Sequence, residues 1–327
     1  MYVAYKSLSS NLVTSNLLAF KPLALLSPFT VILCCLFLTA CVNRTAPIQE
    51  KTSESQVLSQ VSYTSILALP VAGGSKTLSY GENPLQFGQL YLPNITADAS
   101  SQKVPLLIFI HGGCWLNAFD IQHTQAFSEA VAAAGIAVWS IEYRRVGDEG
   151  GGWPGSYYDV LAAIAYAQTA LHSYPIDVNH VVLAGHSAGG HLALLAAGAS
   201  TQDPQSTPQV RAILKPVKGV IGLAAITDLP SYQSDETGCQ RAARQFMGGI
   251  YPDLAEEYQN ASPSQHPAHP RTLLLHGRAD SIVPLSQATD SGMPVSVLDD
   301  AGHFDWIHPK TEAFQHFITA LQALMAK

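Results

Sequence analysis

Residues 185–189 read Gly-His-Ser-Ala-Gly, directly after the apolar run Val-Val-Leu-Ala (181–184) and directly before an Ala- and Leu-rich stretch. A serine hydroxyl is a weak nucleophile until a neighbouring base takes its proton. Glycines around the serine let a strand and the following helix close on each other, so the hydroxyl stands on a sharp bend where a base can reach it. The same bend puts Ser187 at a helix N-terminus, where unbonded amides and the helix dipole favour developing negative charge. A capping serine in a glycine turn is the plainer explanation. With Gly and Ser each near 7% of residues, the three fixed positions recur by chance in roughly one chain in ten of this length. The strand–turn–helix context, with two further features in the right order, favours the nucleophile.

Those features lie on either side. After the run 272–277 comes Arg-Ala-Asp-Ser-Ile-Val-Pro, with Asp280; after the run 295–300 comes Ala-Gly-His-Phe-Asp-Trp, with His303 ahead of the last helical stretch. A neutral imidazole can take a hydroxyl proton at neutral pH and return it to a leaving group. A carboxylate behind it fixes the tautomer and stabilises the imidazolium. The order Ser…Asp…His therefore makes Ser187 the expected nucleophile, His303 the base and Asp280 its orienting acid. Asp299 and Asp300 are rival carboxylates but precede His303 by only a few residues. His308 and His316 read as surface or packing residues, and His276 as a strand-end residue facing the sheet or the rim of the site. His266 and His269, in His-Pro-Ala-His-Pro, lack Cys or clustered carboxylate partners, so no metal is expected.

Upstream, residues 106–115 (LLIFIHGGCW) end an apolar run in His-Gly-Gly-Cys-Trp. Glycines let main-chain amides turn inward, and preorganised amides in a dry site stabilise an oxyanion by about 2.7–4 kcal/mol per donor. His111 reads as a structural hydrogen-bonding residue, and Cys114 as a small buried hydrophobe rather than a reactive thiol.

These segments, with 85–93 (LQFGQLYLP), 141–160 (IEYRRVGDEGGGWPGSYYDV) and 185–194 (GHSAGGHLAL), resemble α/β-hydrolases of the esterase/lipase branch. The group includes kynurenine-formamidase-like esterases and bifunctional feruloyl/acetyl-xylan-type esterases. The likeness covers about 63–327. It implies a mostly parallel eight-stranded sheet with helices on both faces, and oxyanion donors at the amides of Gly113, Cys114 and Ala188. It also implies hydrolysis of small or medium carboxylic esters through an acyl-enzyme, with a small-molecule substrate and no cofactor. An aryl-formamidase, amidase or peptidase using the same triad stays open, as does a binding protein on a hydrolase fold without catalysis. Asp159 reads as structural, a helix N-terminal charge, and Glu142, Arg144 and Arg145 as an ion network.

The elements that must position these residues alternate. Strand-like runs fall at 63–69, 85–92, 106–111, 137–143, 180–185, 217–225, 272–276 and 294–299, and helical patterns at 124–134, 156–172, 188–199 and 310–326. The later strands are continuous apolar runs, as parallel strands covered on both faces require; the early ones are mixed, as an antiparallel edge would be. The class is α/β, a doubly wound sheet, whose ligands sit at the carboxyl ends of the strands. The segment 229–270 is long for a connection and reads as a cap over the site.

The 327 residues are 47% apolar and 13% charged, with net charge −7, which excludes a disordered chain and makes nucleic acid an unexpected partner. Residues 1–40 read as a signal peptide. Leu-Thr-Ala-Cys (38–41) resembles the bacterial lipobox, which implies a lipid-modified Cys41, a membrane anchor and a place in the cell envelope. Residues 41–62 read as a flexible tether to the catalytic domain, 63–327. The five cysteines form no disulfide framework, and Cys114 and Cys239 are not expected to pair. Oligomeric state is not legible.

Overall fold

The continuous apolar runs become the middle of one sheet. A computed structural model describes residues 58–94, 103–199, 207–234 and 238–326; the expected signal peptide, Cys41 and most of the tether lie outside the described residues. In chain order the strands are β1 (Lys76–Ser79), β2 (Phe87–Tyr91), β3 (Val104–Ile110), β4 (Ala137–Ile141), β5 (Ile176–His186), β6 (Val217–Leu223), β7 (Thr272–Gly277) and β8 (Val295–Leu298). Their order across the sheet is β1-β2-β4-β3-β5-β6-β7-β8. β1 and β2 form the antiparallel edge, β2 against β4, and every pairing from β4 to β8 is parallel.

Alternate side chains of β3 part to opposite faces: Leu106, Ile108 and Ile110 join one core layer, Leu107 and Phe109 the other. Both sets are fully buried, which is why the run carries no polar alternation. Among the described residues the α-helices are, in chain order, α1 (Tyr63–Leu67), α2 (Gln125–Ala133), α3 (Gly155–Ala170), α4 (Ala188–Gly198), α5 (Pro208–Leu214), α6 (Leu229–Tyr232), α7 (Cys239–Met247), α8 (Ala255–Asn260), α9 (Ser286–Thr289) and α10 (Glu312–Met325). α3 and α4 cover one face and α2 and α10 the other. Every residue of α4 is buried, so its sequence is apolar all round. α10 shows the opposite pattern. Phe314, Phe317, Ile318, Leu321 and Met325 bury one stripe, and Thr311 caps its start by accepting from the Phe314 amide at 3.3 Å.

Two sequence expectations change here. Residues 63–69 are not a strand. Ser62 accepts from the Ser65 amide at 3.1 Å and starts the single turn α1, which puts Tyr63 and buried Ile66 on one inner face. The eighth strand is instead β1, too short and too exposed to show an apolar signature. Residues 58–62 are held rather than free. Leu58 bridges to Thr311, and the amides of Gln60 and Val61 donate to the Asp305 carboxylate, both at 2.7 Å. The 229–270 segment carries α6, α7 and α8 between β6 and β7.

Candidate active site

β5 ends at His186 and α4 begins at Ala188, so Ser187 is the bend itself, at φ +55 and ψ −119. A non-glycine residue held there stores about 1–3 kcal/mol of strain. Two bonds hold it: the Ser187 amide donates to Leu223 O at 2.8 Å, and Ser187 O accepts from the His191 amide at 3.0 Å. The flanking glycines are required by contact. A Cβ on Gly185 would run into the Gly189 backbone, and one on Gly189 into the carbonyls of Ile110 and His111.

His303 follows β8 and donates from Nδ1 to Asp280 Oδ2 at 2.8 Å. The other oxygen of Asp280 accepts the amides of Ile282 and Val283, each at 2.8 Å. Burial opposes the Asp280 charge, but the hydrogen bond and charge of His303, with the two amides, outweigh it and hold the carboxyl below its ordinary range. With Nδ1 committed to the carboxylate, Nε2 is the ring nitrogen left free to meet the cavity. His276 packs beside the same carboxylate, its Nε2 3.7 Å from Asp280 Oδ2 and bonded to Val283 O at 3.0 Å. Asp299 lies elsewhere, exposed and paired with Arg278 at 2.7 Å.

Ser187 and His303 open onto one cavity of about 320 Å³, with Gly113, Cys114 and Cys239 in its wall. Among the described residues no hydrogen bond joins the hydroxyl to the ring; such bonds are often long until a substrate occupies the site. The rest of the wall is Tyr63, Phe119, His123, His186, Ile282 and Phe304, and the lining holds no Lys, Arg, Asp or Glu. Burial first, and then the charge of His111, push the His123 pKa down to about 3, so that ring is neutral.

The glycine loop after β3 packs directly on Ser187: a Cβ on Gly112 would stand 3.2 Å from that of Ser187. Gly113 and Cys114 have φ +111 and +54. Among the described residues the amides of Gly113, Cys114 and Ala188 donate to no protein acceptor, which leaves three donors near the hydroxyl. Under this loop lies a buried ionic network. Glu142 accepts from His111 Nε2 (2.9 Å), the Tyr143 amide (2.9 Å) and the Ile121 amide (3.0 Å), with Arg145 at 3.3 Å. Burial opposes the charge on Glu142, but His111, and then Arg145 and the Tyr143 amide, keep it below the usual carboxylate range. Asp159 is not a helix N-terminal charge. It takes a two-pronged bond from Arg144, at 2.8 and 2.7 Å, from the interior of α3.

Sequence reasoning missed several contributors. His186 donates from Nε2 to the His303 carbonyl at 2.9 Å. Burial, then the charge of His303, pushes its pKa well down, so it stays neutral. Asp305 binds the amide of Gly302 at 3.0 Å as well as those of Gln60 and Val61, tying the tether's end to the histidine loop. Cys114 and Cys239 were expected to stay apart; their Cα atoms are 5.0 Å apart and the two form a disulfide. The cap brings the first residue of α7 onto the glycine loop across 125 residues of chain, which no spacing in the sequence reveals. Among the described residues no group of three or more His, Cys, Asp or Glu side chains is placed to hold a metal ion.

The family model BD-FAE matches residues 89–291. The chain belongs to the BD-FAE family. The match takes in the glycine loop, Ser187 and Asp280 and ends before His303. Esterase LipC of Mycobacterium tuberculosis is 30% identical over 217 residues, which cover 64% of this chain and 52% of that protein. Esterase LipQ of the same organism is 30% identical over 194 residues, 58% of this chain and 45% of that one. This BD-FAE chain thus spans about half the length of the curated relatives it matches. Among solved structures, esterase B from Lactobacillus rhamnosis superposes with TM-score 0.63 at 21% identity, covering 80% of this chain and 89% of that one. A truncated carbohydrate esterase from gut microbiota gives 0.63 at 22% identity, covering 78% and 97%. The fold of this family member is the α/β-hydrolase fold.

Proposed function

We propose that this chain is a serine esterase that hydrolyses carboxylic esters with a compact, uncharged acyl group through an acyl-enzyme. The observation that carries it is one cavity shared by Ser187, the Asp280-supported His303 and the unengaged amides of Gly113 and Cys114. In this reading the Ser187 hydroxyl attacks the carbonyl carbon while His303 Nε2 takes its proton. The carbonyl electron pair moves onto oxygen, facing the loop amides and that of Ala188. As the pair returns, the alcohol leaves with the proton from His303. A water that gives its proton to His303 then attacks the acyl carbon, and as that second tetrahedral intermediate collapses the acid leaves while His303 returns the proton to the Ser187 oxygen. The names of the relatives, esterases and a carbohydrate esterase, support the reaction class.

The cavity supports a compact, uncharged acyl group. At about 320 Å³ it is at the small end of ligand pockets, and its wall offers aromatic and aliphatic surface with no charged partner. Short-chain or single-ring acyl groups fit that description. p-Nitrophenyl acetate, butyrate and decanoate, with an N-formyl amide alongside, test it. Turnover should be highest on the two shorter esters, and Ser187→Ala should lower kcat/KM by at least about 1000-fold. Retained activity in that variant would sink the assignment. We further propose that the protein is held at the membrane of a bacterial cell envelope by lipid on Cys41. Cys41→Ser should then move it to the soluble fraction, and unchanged membrane fractionation would count against the anchor.

A further inference from the structure

We propose that Cys239 is a positioning residue for the oxyanion site: its disulfide to Cys114 keeps the Cys114 amide facing the cavity, so helix α7 of the cap takes part in transition-state stabilisation. The proposal rests on the esterase reading above.

Gly113, Cys114 and Trp115 follow one another at φ +111, +54 and +58. Glycine accepts that region freely; a cysteine and a tryptophan do not, because Cβ crowds the backbone. Left alone, those two residues would relax to negative φ and turn their amides. Each is held, and both by the same helix. Cys114 is bonded to Cys239, the first residue of α7. The fully buried Trp115 ring stacks on Phe246 near the other end of α7, with centroids 4.9 Å apart, and its Nε1 donates to His191 Nδ1 at 3.3 Å. α7 is itself fixed to the body, since Phe246 O accepts the Trp153 amide at 2.8 Å.

The chemistry meets this grip at one atom. The Cys114 amide donates to no protein acceptor among the described residues, while Cys114 and Cys239 both line the cavity that holds Ser187 and His303. A disulfide that served only to staple the cap could join any two surface points. This one ends on a residue whose strained backbone carries an unengaged donor beside the nucleophile.

The test uses the full chain, with the Cys114–Cys239 bond verified by mass spectrometry of a non-reducing digest. Wild type, Cys239→Ser and the double variant Cys114→Gly/Cys239→Ser are compared. The readouts are kcat and KM on p-nitrophenyl acetate, the rate at which diethyl p-nitrophenyl phosphate labels Ser187, and melting temperature. Cys239→Ser should lower kcat and the labelling rate by about 10- to 100-fold, short of the roughly 100- to 1000-fold of a donor removed outright because the amide is misaimed and not lost, with KM changed by less than about threefold. Adding Cys114→Gly should recover most of the lost rate, because glycine takes the same φ without a Cβ penalty. The double variant lacks the bond just as the single one does, so a plain loss of cap stability would leave both equally slow. That equality, an unaffected Cys239→Ser, or a wild-type digest without the bond would overturn the positioning role while leaving a labelled, active wild type. A wild type that takes no label at Ser187 would overturn the esterase reading and this proposal with it.

Discussion

The Asp280 carboxylate is enclosed, yet it carries a charge because one oxygen takes two backbone amides and the other the His303 ring. Asparagine keeps the shape but cannot stabilise an imidazolium, so Asp280→Asn should lower kcat by roughly 10³- to 10⁴-fold with little change in KM. A fall of less than tenfold would show that His303 needs no partner. His186 acts one step further out. Its Nε2 hydrogen bond to the His303 carbonyl fixes the backbone of His303. His186→Leu leaves that carbonyl unpaired and should lower kcat about tenfold at constant KM; steady-state kinetics on p-nitrophenyl butyrate read both variants.

At the scale of elements, α1 is more than a leader into the domain. Its Tyr63 ring meets Phe119, His123 and Phe304 at centroid distances of 5.5, 5.7 and 5.5 Å and closes one wall of the cavity. Tyr63→Ala should therefore open that wall. The ratio of kcat/KM on p-nitrophenyl octanoate to that on the acetate should rise about tenfold or more, and Tyr63→Phe should leave the ratio alone. An unchanged ratio in the alanine variant would mean the acyl chain lies elsewhere. Asp305 ties the start of the same segment, through the amides of Gln60 and Val61, to the loop of His303, through that of Gly302. Asp305→Ala should lower unfolding free energy by about 2–4 kcal/mol in urea melts.

The whole molecule adds a pH response. His123 and His191 are buried and neutral, with pKa values pushed down to about 3 and about 4, by burial first in each case. In the unfolded chain both titrate near 6.5. Between pH 6.5 and 4 the unfolded state therefore binds protons that the folded state refuses, and stability falls as pH falls. The sign is the same for Asp280, whose folded pKa is depressed, but its contribution is lost only below the ordinary carboxylate range. Each histidine adds a slope of up to about 1.4 kcal/mol per pH unit, so stability in urea should drop by at least about 2 kcal/mol from pH 7 to 5. The core is the counterweight. Phe317, fully buried beside Phe127 and Phe314, should cost about 3–5 kcal/mol when truncated to alanine.

Much of this architecture was legible because it is local. The runs that became β3, β5 and β7 are apolar on both faces, and a chain that buries both faces of a strand has no alternative to a covered parallel sheet. Ser187, Asp280 and His303 stood out because acyl chemistry restricts which residue types can follow which elements, and the fold brings all three to one end of the sheet. β1, α1 and α5 were misread or missed because four to seven residues give too few periods to tell helix from strand.

The linear order of residues thus determined the central strands, the longer covering helices and the types of group that can do chemistry, since periodicity and turn chemistry act over a few neighbours. Only the packed molecule decided that Cys239 reaches Cys114, that His186 supports the backbone of His303 and that Tyr63 walls the cavity. Each of those contacts joins residues tens to more than a hundred positions apart. Their encounter depends on how whole elements stack, which is set by the summed burial of the core and by no short-range pattern.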